Sequence, residues 1–89
     1  MAAKLNKNKI GLTLGLFMGL MHAVWAVMVS MGLGQKMLDM VYRVHFLSNP
    51  FVVSPFMATR AIKLIVFTAL MGYVVGFVFA FVWNRGRGR

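Results

Sequence analysis

The sequence predicts an all-α membrane protein: an antiparallel hairpin of two transmembrane helices whose connecting loop carries a short amphipathic interfacial helix. Three observations predict it. Two apolar runs, Ile10 to Leu33 and Leu64 to Trp83, are each long enough to cross a bilayer. Ten Lys and Arg stand against the single acid Asp39, and all ten lie outside both runs. With 61% hydrophobic and 12% charged residues, an 89-residue chain has too little polar surface to cover a soluble domain.

Residues 1–9 read as a basic tail, with Lys4, Lys7 and Lys9 placed to meet lipid headgroups. The first span, 10–33, would extend about 36 Å as a helix against a hydrocarbon core of about 30 Å. A secretory signal peptide is the competing reading, with Val24 and Ala26 in a small-residue pattern, but the apolar run continues past them to Leu33.

The loop, 34–54, opens with Gly32 and Gly34 closing the first helix. Residues 35–47 place Lys36, Asp39 and Arg43 on one face and Met37, Met40, Val41 and Val44 on much of the rest, the pattern of a helix at a membrane surface. Asp39 precedes Arg43 by four positions, the favourable order for an exposed ion pair. Asn49-Pro50 breaks the helix and should leave Phe51 to Val53 extended. Ser54 as N-cap and Pro55 at the first helical position then predict a second helix over 55–84, with its span at 64–83. Arg60 and Lys63 in its first turns should snorkel to headgroups, and Arg85, Arg87 and Arg89 form a cationic Arg-Gly end at 85–89. The two ends hold six Lys or Arg against four between the two spans, so both termini are expected on the cytoplasmic side of a cell (inner) membrane.

The most specific pattern is a four-residue repeat of small side chains, a glycine zipper. Gly11, Gly15, Gly19 and Ala23 mark one ridge and Thr68, Gly72, Gly76 and Ala80 the other. Lipid removes the hydrophobic drive between helices, so small residues that let backbones approach are the expected contact. The expected register sets Gly15 against Ala80, Gly19 against Gly76 and Ala23 against Gly72. A second small ridge, Ala26, Ser30 and Gly34, is free to serve another copy or subunit, and Phe17, Trp25, Phe67, Phe77, Phe79 and Phe81 are left for lipid or partners.

His22, near the middle of the first span, is a titratable candidate, open to a haem or chlorophyll metal, a proton relay or plain packing. Tyr73 lies at its depth in the expected register, but helix handedness points the two to opposite flanks. His45 in the loop reads as an interfacial side chain. There is no cysteine, no paired carboxylate, no nucleophile with a base and no acid within either span, so no enzyme and no cation-coupled transporter is expected. No cofactor is predicted beyond the His22 reading. Three arginines are too few for an RNA-binding tail, and anionic headgroups are the expected partner.

Lys4-Leu5-Asn6, Gly11-Leu12 with Leu14-Gly15, His22 with Trp25-Ala26, and Gly72-Tyr73 through Gly76 to Trp83-Asn84 together resemble a family of small bacterial and archaeal two-helix membrane proteins of unknown function. The resemblance spans nearly the whole chain and implies the hairpin, without any activity. The expected role is therefore a structural or accessory membrane protein, in a homo-oligomer or as a subunit of a larger complex. A holin-like pore former and a haem- or chlorophyll-binding subunit using His22 are the alternatives.

Overall fold

The computed structural model describes residues 3–87, which form three helices: α1 Lys7–Ser30, α2 Gly34–Val44 and α3 Ala58–Arg87. The described residues include no strand.

Helix α1 starts three residues earlier than the apolar run because Asn6 caps it. Its side-chain oxygen accepts from the Lys9 N–H at 3.0 Å, which satisfies one orphan donor and brings Lys7 and Lys9 onto the helix rather than into a tail. The helix also stops earlier, at Ser30. Gly32 adopts φ +77°, a conformation open to glycine, and its N–H donates to the Val29 carbonyl at 3.1 Å while the Leu33 N–H donates to that of Met28 at 2.8 Å. These two bonds close the helix and turn the chain.

Helix α2 ends by the same device with a less suitable residue. Phe46 takes the left-handed conformation, φ 63°, with its N–H on the Arg43 carbonyl and the Leu47 N–H on that of Tyr42. The second long helix begins at Ala58 rather than Pro55, so the expected Ser54 cap is not used; the Ala61 N–H closes the first turn on the Met57 carbonyl. Residues 50–57 stay non-helical between them. Extended chain covers about 3.3 Å per residue against 1.5 Å for helix, which gives this strap its reach from α2 to the start of α3. At the other end α3 continues to Arg87, where a loose Arg-Gly tail was expected from position 85. Arg89 lies outside the described residues.

Helices α1 and α3 pack against each other in antiparallel order, Gly11 meeting Gly76, Gly15 meeting Gly72 and Gly19 meeting Ala69. The fold measures 49 × 33 × 16 Å between Cα extremes. Only small residues are buried among those described: Ala80, Ala26, Thr68, Gly34 and the seam glycines. No large side chain among the described residues is fully buried.

Candidate functional site

The seam between α1 and α3 uses both small ridges, in a register different from the expected one. A Cβ on Gly72 would stand 2.7 Å from the Leu14 carbonyl oxygen and 3.0 Å from the Gly15 Cα, so Gly15 faces Gly72 rather than Ala80. A Cβ on Gly15 would in turn meet the Ala69 carbonyl oxygen at 2.7 Å. Relative to the expected pairing, α3 is displaced by two steps of the four-residue repeat. Ala23 is only half-buried, and the contact passes instead to Ala26. Four-residue steps drift around a helix of 3.6 residues per turn, so a ridge cannot stay on one seam over its whole length.

Polar contacts at the terminal end account for the displaced register. The Asn84 carboxamide accepts from the Leu5 N–H at 2.7 Å and donates to the Leu5 carbonyl at 2.8 Å, a two-bond clasp on one backbone unit. The Tyr73 hydroxyl donates to Asn8 Oδ1 at 2.6 Å, and the Trp83 indole N–H to the Ala3 carbonyl at 3.2 Å. Lys7 lies 5.9 Å from the ring centres of both Phe77 and Phe81, and Arg85 lies 5.6 Å from Phe81, within cation–π range. The α3 displacement that sets Gly72 on Gly15 also brings Asn84 to Leu5. The sequence assigns no contact to Asn8, and Asn84 enters it only through the Trp83-Asn84 resemblance; the position of both at span ends is the signal for such a role.

Loop residues build a second site, around the chain's single acid. Asp39 Oδ1 accepts from Asn49 Nδ2 at 2.7 Å and from Gln35 Nε2 at 3.0 Å. The same Gln35 amide donates to the Phe51 carbonyl and accepts from the Val53 N–H at 2.6 Å, as a neighbouring strand would. Asn49 and Gln35 hold the Asp39 carboxyl below its ordinary value, and Arg43 adds to this only at a distance. The expected Asp39–Arg43 ion pair therefore gives way to an amide cluster that fastens the strap to α2.

Beneath the strap lies an open apolar cleft of about 310 Å³, between Trp25 and Val29 of α1, Ala61 and Leu64 of α3, and the strap's Phe56. Trp25, assigned from sequence to lipid or partners, and Ala26 of the second small ridge both line it. Gly34 is buried against Val29 and Trp25, so that ridge is largely occupied within the chain.

Thr13, Ser30, Thr68 and His22 bond the backbones of their own helices. Thr13 donates to the Lys9 carbonyl, Ser30 to that of Val27, and Thr68 to those of Leu64 and Ile65. His22 Nδ1 is 2.8 Å from the Met18 carbonyl oxygen, and because a carbonyl only accepts, that nitrogen carries the hydrogen. His45 does the same with Val41 in α2. Tyr73 sits level with Gly15, so it and His22 are at different depths. The described residues contain no group of three or more His, Cys, Asp or Glu able to hold a metal.

Of the expected headgroup residues, Lys4, Lys9, Arg60, Lys63 and Arg85 are exposed and Lys7 half-buried. The chain matches no family model, and no curated protein and no solved structure is detectably similar to it. Both α1 and α3 are long and apolar enough to cross a membrane.

Proposed function

We propose that this chain is an integral membrane protein, crossing the bilayer twice as a helical hairpin with α2 at the membrane surface, and that it serves as a structural or accessory element through helix contacts. One observation carries the reading. In the most apolar windows of α1 and α3 only 17% and 22% of residues are buried, although a soluble protein's core helix of such composition would be largely covered. Leu16, Leu20, Phe67 and Leu70 each expose more than half of their surface. Large apolar side chains exposed along both long helices are unusual for a soluble monomer, and lipid or neighbouring helices are their natural solvent.

Those outer faces are where copies of the chain or other membrane subunits would bind. A holin-like pore has less support, because Thr13, Ser30 and Thr68 spend their hydrogens on their own helices and supply no polar stripe for water. A cofactor on His22 would bind through Nε2, because Nδ1 is engaged by the Met18 carbonyl. Cytoplasmic termini follow from the charge excess at the ends, and the two-helix family resemblance belongs to the same proposal.

Alkaline carbonate washing of membranes, followed by gentle extraction and native mass spectrometry, tests the reading. Retention through the wash and a fixed stoichiometry, with itself or another subunit, are expected. Release by carbonate would remove the transmembrane assignment, and a bare monomer would remove the accessory role.

A further inference from the structure

The cleft under the strap differs from the rest of the apolar surface in having walls on several sides and a cation at its edge. Its volume of about 310 Å³ falls at the lower end of ligand pockets. Arg60 is the charged side chain among the described residues that line it, and the remainder are apolar apart from Ser54. Arg60 is exposed and makes no hydrogen bond or ion pair within the described residues. The chain cannot neutralise it: the one acid, Asp39, is engaged by Asn49 and Gln35. Any negative partner for Arg60 would therefore come from outside the described residues, and the lining beside it suits an apolar group.

We propose that this cleft seats an acyl chain of one anionic phospholipid from the surrounding bilayer, with Arg60 on its phosphate. This rests on the membrane reading and adds a specific lipid site to it. The apolar walls, Trp25, Val29, Phe56 and Leu64, take the chain between α1, α3 and the strap. Arginine matches phosphate with a forked pair of donors, and Lys63, one turn further along α3, adds to the local positive potential.

Trp25 lines the cleft and reports its occupancy, once Trp83→Phe removes the other tryptophan. The protein is reconstituted in phosphatidylcholine vesicles containing a minor share of phosphatidylglycerol brominated on its acyl chains. Quenching of Trp25 beyond that lipid's share of the bilayer is expected. Arg60→Gln should lower the enrichment about fivefold, the effect of one basic residue near an anionic surface. Ala61→Phe, which fills the cleft, should abolish it, whereas Lys36→Gln removes one charge from α2 outside the cleft and should leave it unchanged. Quenching proportional to the bulk share, or an equal loss from Arg60→Gln and Lys36→Gln, would overturn the lipid site. Flotation of the same vesicles separates the two readings: protein that floats without enrichment loses only the site, and protein that does not float loses both.

Discussion

Gly76 lies directly on the backbone of Gly11: a Cβ added to Gly76 would stand 2.9 Å from the Gly11 Cα and 2.8 Å from the Ile10 carbonyl oxygen. Neither neighbour is a flexible side chain that could swing away. The helices themselves must separate to admit a methyl group, with loss of dispersion and Cα–H to carbonyl contacts along the seam.

Gly76→Ala and Gly72→Ala are accordingly expected to destabilise the fold by about 1–3 kcal/mol each, the usual cost of overpacking. Gly86, with nothing within 4 Å of its Cβ position, should behave oppositely, Gly86→Ala gaining up to about 1 kcal/mol from helix propensity. Unfolding in one mixed-micelle condition compares the three. Equal effects would mean that the seam is not close-packed.

Asn84→Leu keeps the size of the side chain and removes both bonds of the clasp on Leu5. At about 0.5–1.5 kcal/mol per bond, a loss of about 1–3 kcal/mol is expected. Hydrogen exchange should show it locally, the Leu5 amide becoming unprotected while the amides of α1 beyond its first turn stay slow. An unchanged Leu5 exchange rate would mean that Asn84 does not hold the terminal segment.

The two helix ends closed by left-handed residues offer a pair of opposite signs. Phe46 is 97% exposed at φ 63°, so its ring contributes no packing to offset the backbone cost. Phe46→Gly should stabilise the chain by about 1 kcal/mol and Gly32→Ala should destabilise it by a similar amount. Thermal midpoints of both variants check the signs.

Acid should open the strap. The folded-state value of Asp39 is depressed below 3.8 by its bonds from Asn49 and Gln35, so the cluster stabilises the folded loop fully above that value. The stabilisation is lost as pH falls from 3.8 through the lower folded value, since protonation then removes the charge that Asn49 and Gln35 hydrogen-bond. Exchange protection of the Val53 amide, which donates to Gln35, should decline in that window and not above it. In Asp39→Asn the protection should be weaker and flat across the same range.

Much of the fold was legible in the chain because its signals are local. The apolar runs and the Gly32 turn each act within a few residues and have their counterparts in the structure, whereas α2 ends at Val44, short of the expected helix to 47 and ahead of the break at Asn49-Pro50. The start of α3 was misplaced because Ser54-Pro55 is a sound local signal that competes with the reach needed from residues 50–57. The clasp of Leu5 by Asn84 and the holding of Phe51 and Val53 by Gln35 join residues 79, 16 and 18 positions apart, separations at which spacing rules carry no information.

By itself the sequence determined that two long apolar helices form and that small side chains line their facing sides, since hydropathy and periodicity act residue by residue. Tertiary structure alone decided the register. Ridges that repeat every four residues fit one another equally well after each step, so the seam has several near-equivalent alignments. The long-range clasp of Leu5 by Asn84 breaks that equivalence, because a half-buried amide finds its partner at one alignment and is left without it at the others.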